Sequence, residues 1–369
     1  MKSSIYFFVG TTAELLKIFP VMREFERRKI KFKIITSGQT SVNFAEISPW
    51  VKKKEPDIVL PKKSNQSSML FFLIWTVKTL FTAPWILSKE FSKIDKTSSF
   101  MIVHGDTVSS LLGTVIAKLF KLKVVHIESG LRSFNFLEPF PEELTRSIIS
   151  KFADIHFCPN EWSLKNLNPT KGVKVNTFQN TFIESYYLAS ERRGKISNTE
   201  LVKGKYFVFI LHRQEHVIFN QEGSRKLMEF ILDTTPPNLK CIFIKHSTTR
   251  SFLKSLNQVL LKKNKGRIVF LPRLGYTDFV HLLSGSEFLI SDGGGNQEEA
   301  YYMGLPCLVL RDHTERIEGL GENAVLAKSQ MNTVSTFISK YKSFRRARPK
   351  VEVQPSKIIV DFLVKEFKI

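Results

Sequence analysis

The chain has 369 residues, with 55 Lys+Arg against 34 Asp+Glu, so 55 − 34 leaves a formal charge of +21. This length exceeds one ordinary core and points to two α/β domains, while the charge suits a polyanionic, phosphate-bearing or membrane-surface partner. Nucleic acid is disfavoured because the basic residues are scattered, without zinc-finger, RNP or basic-zipper spacing; Cys158, Cys241 and Cys307 form no C-x-x-C pair and read as reduced core thiols of a cytoplasmic protein.

In chain order, S-I-Y-F-F-V-G predicts a buried strand that turns directly into the helical pattern T-A-E-L-L-K-I-F-P-V-M-R-E-F, too short an apolar run for a signal peptide. F-K-I-I-T-S-G is the next strand. Residues 69–87, M-L-F-F-L-I-W-T-V-K-T-L-F-T-A-P-W-I-L, are almost wholly apolar, but Lys78 and Pro84 argue against a clean membrane span. With Lys62 and Lys63 before it and Lys89, Lys93 and Lys96 after, the segment fits a core helix or a membrane-interfacial one. F-M-I-V-H-G-D, K-V-V-H-I-E-S and D-I-H-F-C-P continue the strands, with T-V-S-S-L-L-G-T-V-I-A-K-L-F between them as a helix. The polar stretch Glu191 to Lys203 divides this run from a second: Y-F-V-F-I-L-H-R, C-I-F-I-K-H-S, R-I-V-F-L-P, E-F-L-I-S-D-G and P-C-L-V-L-R-D. The alternation predicts an α/β protein of two Rossmann-like doubly wound parallel-sheet domains, residues 1–185 and 186–345, with strand ends facing a central cleft. Residues 346–369, including S-K-I-I-V-D-F-L-V-K-E-F, are expected to form a helix crossing back to the first domain.

The unusual polar residues fall where strands end. Asp106, Glu128, His212 with Arg213, and His246 each follow a predicted strand; singly, each is as well explained as a cap or turn residue. S-D-G-G-G-N-Q-E-E-A, residues 291–300, predicts a strand, a glycine turn and a helix starting near Asn296, a junction whose amides suit phosphate oxygens. Dispersed histidines and the lack of a D-x-D triplet predict chemistry without a metal or other cofactor.

The segments G-T-T-A-E-L-L-K, V-H-G-D-T, H-I-E-S-G-L-R, P-F-P-E-E-L-T-R, H-R-Q-E, D-G-G-G-N-Q-E-E-A and R-D-H-T-E-R-I-E-G have the order and spacing of the UDP-N-acetylglucosamine 2-epimerase family, which the chain resembles from about residue 5 to 330. The resemblance implies the GT-B arrangement, a UDP-linked nucleotide-sugar as substrate, and a place in cell-surface polysaccharide biosynthesis. It implies catalytic roles for Asp106, Glu128, Glu142 and His212. It implies substrate or nucleotide contacts for Lys17, Arg132, Arg146, Arg213 and His246, with Gly293, Gly294 and Gly295 at the diphosphate and Glu299 at the ribose. Arg132 and Arg146 would hold the charge and orientation of Glu128 and Glu142. A homodimer is typical of the resembled family.

Several positions depart from the family pattern: Thr12 and Ala13 stand for an arginine and a proline, Gly293 for a serine, Gln214 and His216 for an arginine and an asparagine, Thr40 for a histidine, and Gln179 for a glycine. Two readings therefore stay open: a nucleotide-sugar 2-epimerase with altered substrate or regulation, or a GT-B glycosyltransferase with a lipid-linked acceptor, held peripherally at the inner face of the plasma membrane. A catalytically dead sugar-nucleotide binder is disfavoured by the surviving carboxylates and His212.

Overall fold

The computed structural model describes residues 3–62, 69–136, 138–192, 194, 204–213, 216–217, 220–256, 258–350 and 353–369. Lys63, Gln214 and most of the polar stretch 191–203 lie outside the described residues. Two compact units result: Met1–Ser185 with Val351–Ile369, and Tyr186–Lys350.

Unit 1 is built on seven parallel strands: β1 (Ile5–Val9), β2 (Lys33–Thr36), β3 (Ile58–Val59), β4 (Phe100–His104), β5 (Lys123–Ile127), β6 (Ile155–Cys158) and β7 (Val173–Asn176). Their order is β3-β2-β1-β4-β5-β6-β7. β1 and β4 are buried at every position, as expected of strands covered on both faces by helices. Unit 2 carries β8 (Tyr206–Ile210), β9 (Lys240–Ile244), β10 (Ile268–Leu271), β11 (Leu289–Ser291), β12 (Cys307–Val309) and β13 (Ala324–Leu326), ordered β10-β9-β8-β11-β12-β13. In each sheet the order reverses beside the first strand, between β1 and β4 and between β8 and β11. Ligands of open α/β sheets collect at the carboxyl ends of strands at such a reversal.

The helices of unit 1 include α1 (Thr12–Arg27), α2 (Met69–Phe91), α3 (Val108–Leu119) and α4 (Glu142–Phe152). α1 starts in a capping box: the Thr11 side chain accepts from Glu14 N, and the Glu14 carboxylate from Thr11 N. Thr107 caps α3 from one side only, its hydroxyl accepting from Ser110 N. α2 buries Trp75, Ala83, Leu87 and Phe91 in the unit 1 core, one residue per turn or two. The helix Pro355–Phe367 also packs on unit 1: Asp361 pairs with Arg28 at 2.6 Å, and Glu184 accepts from Ser356 N at 2.8 Å. In unit 2 the helix after β11 runs Gly294–Met303, so it begins two residues before the expected Asn296 and takes two of the three glycines into its first turn.

Candidate active site

The first site lies at the carboxyl ends of β1, β4 and β5. Glu128 follows β5 with a left-handed φ of 63°, uncommon for a residue with a side chain and concentrated at functional positions. This conformation turns its buried carboxylate back toward β4, where Gly105 (φ 64°) makes room: a Cβ there would come 3.1 Å from Glu128 Oε1. Lys17 of α1 donates to both carboxylate oxygens, at 3.1 and 3.0 Å, and Asn180 Nδ2 donates to Oε2. His104 Nε2 stands 4.0 Å away. The ammonium compensates the charge that burial would otherwise penalise.

Asp106 is gripped by Arg146 of α4, whose Nη1 also reaches Glu143 Oε2 at 3.1 Å. Arg132 Nε donates to the other oxygen of Glu143, and Ser133 N adds a bond of 3.0 Å. The arginines expected at Glu128 and Glu142 thus meet Glu143 and Asp106, and Glu128 takes its cation from Lys17. Glu142 opens α4 and is half-buried, next to the fully buried Glu143. Glu14 is buried at the end of β1 and accepts from Gly10 N at 2.5 Å, Thr11 N at 3.1 Å and Thr107 Oγ1. Burial pushes its carboxyl up to about 7, against the opposing hydrogen bonds. The departures at this edge serve as turn bonds: Thr40 Oγ1 donates to Gly10 O at 3.0 Å, and Thr12 Oγ1 accepts from Asn43 N at 2.9 Å.

The second site lies in unit 2, at the ends of β8, β9 and β11. His212 Nδ1 stands 2.8 Å from the fully buried Asp292, which also accepts from the backbone of His212 and Arg213, both at 2.9 Å. Burial alone would raise the Asp292 carboxyl; the neighbouring His212 and these bonds hold it well below the usual carboxylate range. His246 caps its turn through Thr248 N, with its ring 5.7 Å from that of His212; burial first, then His212 and Arg273, push it down to about 4. At the head of the Gly294–Met303 helix, Cβ atoms on Gly293 and Gly294 would come 2.8 Å from His212 Cε1 and 2.5 Å from Glu315 Oε1, whereas one on Gly295 would meet nothing within 4 Å. The open face of the helix N-terminus is therefore at Gly295. Glu299, one turn in, accepts from Asn296 at 2.8 Å. Beneath the same glycines lie Arg311, 3.0 Å from Glu315, and Arg316, paired with Glu298. Glu315 and Glu298 balance these arginines, so the pole suited to a diphosphate is the helix N-terminus itself, open at Gly295. Among the described residues no three His, Cys, Asp or Glu side chains gather as metal ligands.

Sequence reasoning missed Glu14, Glu143, Asn180, Asp292, Arg311 and Arg316 as site residues. Glu14 carried a signal, three residues after Thr11 in a capping box, and Asp292 another, directly before the glycines. Nothing local marks Asn180, 52 positions from its partner Glu128.

Two doubly wound parallel sheets, one with clustered carboxylates and one with a glycine-headed helix over buried arginines, define a GT-B-type nucleotide-binding α/β protein. The chain belongs to the UDP-N-acetylglucosamine 2-epimerase family, whose model matches residues 82–356. A UDP-N-acetylglucosamine 2-epimerase of Methanocaldococcus jannaschii is 30% identical over 328 residues, 86% of each chain, and one of Methanococcus maripaludis is 30% identical over 373 residues, 98% of each. Among solved structures, the Neisseria meningitidis epimerase bound to UDP-GlcNAc superposes with a TM-score of 0.82 at 25% identity, covering 99% of this chain and all of that one. The Methanocaldococcus jannaschii enzyme in complex with UDP-GlcNAc and UDP gives 0.81 at 26%, with the same coverage.

Proposed function

We propose that this enzyme epimerises UDP-N-acetylglucosamine at C2. A carboxylate of unit 1 takes the C2 proton; the C–H electrons form the C1=C2 bond of a glycal as the C1–O bond breaks and UDP leaves with its electron pair. Return of a UDP oxygen to C1, with a proton delivered to the opposite face of C2, completes the inversion. The observation that carries this reading is the gathering of Glu128, Asp106 and the α4 carboxylates at the β4–β5 strand ends, with Glu128 fixed by Lys17 and Asn180. A weakly acidic C–H needs a positioned base on one face and an acid on the other. Glu128 and Glu142 are assigned these transfers. The amide of Gly295 with Arg213 and His212 stabilises the charge of departing diphosphate, and Glu299 takes the ribose.

Incubation with UDP-N-acetylglucosamine in heavy water tests this: C2 exchanges its proton for deuterium without any acceptor. Glycosyl transfer to a lipid-linked acceptor, the other reading, breaks only the C1–O bond. Donor consumption that requires such an acceptor, with no C2 exchange, would overturn the epimerase. We place its work in the cytoplasm, with a peripheral contact to the inner face of the plasma membrane as the reading of the exposed apolar residues of α2.

A further inference from the structure

One buried acid of unit 1 takes no part in the proton transfers assigned to Glu128 and Glu142. Glu14 lies in the first turn of α1, only 5% exposed. Its Oε2 accepts from Gly10 N at 2.5 Å and Thr11 N at 3.1 Å, and its Oε1 accepts from Thr107 Oγ1. Among the described residues no cation pairs with it, and Lys17, one turn further along the same helix, is committed to Glu128. A carboxylate buried without a cation disfavours the fold unless its hydrogen bonds compensate. Capping does not require that burial: Oε2 alone completes the capping box of α1, whereas Oε1 crosses to a different element.

That element is the turn joining β4 to α3, and it carries Asp106. Thr107, the next residue, accepts from Ser110 N at 3.1 Å and donates its own hydroxyl proton to Glu14. Around it, Gly105 N donates to Ile127 O at 2.9 Å, Ser110 Oγ to His104 O at 2.6 Å, and Thr145 Oγ1 to Asp106 O. These bonds tie the turn to β5, β4 and α4; Glu14 ties it to α1. Arg146 takes Oδ2 of Asp106, and Oδ1 has no protein partner among the described residues, so the direction of that oxygen follows the turn. Glu14 and Lys17, three positions apart, share one face of α1. The same face therefore holds the turn after β4 and the carboxylate after β5.

We infer that Glu14 is a positioning residue of the active site: through Thr107 it fixes the Asp106 turn against α1, so that one helix face, with Lys17 on Glu128, sets the spacing of two acids drawn from different strands. The inference rests on the epimerase reading and adds a residue that touches neither the sugar nor the proton in transfer, since both its oxygens are occupied within the protein.

A double-mutant cycle on the full chain tests it, with C2 exchange from UDP-N-acetylglucosamine in heavy water measured at saturating substrate. Thr107→Val removes the hydroxyl at nearly constant volume. Glu14→Gln keeps the acceptor for Gly10 and Thr11 but turns an amino group toward Thr107. Misplacement of a catalytic group lowers turnover about 10²-fold for Thr107→Val and, by reversing one bond, about 10-fold for Glu14→Gln; the double variant stays near 10²-fold rather than 10³-fold, because both act through one contact. UDP affinity by calorimetry is unchanged in all three, and Thr107→Ser, which keeps the hydroxyl, turns over close to wild type. A cooperative melting transition in each variant shows that it is folded. Losses that multiply in the double variant, or a Glu14→Gln protein with wild-type turnover, would mean that Thr107 serves α3 only as a cap and would overturn the inference. So would a Thr107→Ser protein as slow as Thr107→Val. A folded wild type without C2 exchange would instead sink the epimerase reading itself, and the positioning role with it.

Discussion

Glu128 owes its setting to residues from four segments: Lys17 on α1, Gly105 after β4, Asn180 beyond β7 and its own left-handed turn after β5. Its replacement by Gln keeps the shape and removes the base. Glu128→Gln and Glu142→Gln are each expected to lower turnover about 10²-fold or more while UDP affinity, measured by calorimetry, stays near wild type. Near-normal turnover in either would return that carboxylate to a structural role. Lys17→Met leaves the buried Glu128 without its cation, a change that typically costs about 3 kcal/mol or more; denaturant titration reads it. Asp106 and Glu128 stood out in the sequence because apolar strands end abruptly in acids, and Glu142 only through the P-F-P-E-E-L-T-R segment of the resembled family. Their partners did not. Glu142 and Glu143 look alike in sequence, and only their turn-by-turn direction on α4 sends Glu143 inward to Arg132 and Arg146.

The elements read unevenly, for a physical reason. Strands that are continuous apolar runs, the edge strand β10 among them, could be placed from composition, whereas the edge strands β3, β7 and β13 are two to four residues long and carry little pattern. The glycine-headed helix of unit 2 was legible as a junction but not in phase. Its phase gives a contrast to measure. Gly295→Ala meets open space and gains helix propensity of about 1 kcal/mol, so melting temperature holds or rises while UDP affinity falls, because the added methyl stands where the diphosphate approaches. Gly294→Ala drives a methyl to 2.5 Å from Glu315 Oε1 and lowers both stability and affinity. A Gly295→Ala protein with unchanged UDP binding would place the nucleotide elsewhere.

For the whole molecule, buried titrating groups oppose one another. His246 titrates at about 4 in the fold against an ordinary 6.5, so between these values the unfolded chain holds more protons and stability falls as pH drops. Glu14 is the reverse: held at about 7 against 4.5, it contributes stability below 4.5 that is lost as pH rises through 7. Unfolding followed across pH 4 to 7 should show His246→Gln losing less stability on the acid side, and Glu14→Gln losing less toward neutrality; unaltered slopes would mean these groups titrate normally in the fold. The helix Pro355–Phe367, which buries Ile359, Val360 and Leu363, packs with unit 1, although all of unit 2 precedes it in the chain. Synthesis is directional, and domains tend to fold as they emerge. Unit 2 can therefore be complete in a chain that stops short of this helix, while α1 still lacks its cover and Arg28 still lacks Asp361. Unit 1 begins first and closes last, so a chain ending at residue 350 should be cut by protease within its first 185 residues more readily than within unit 2, and the chain with residues 351–369 should resist in both.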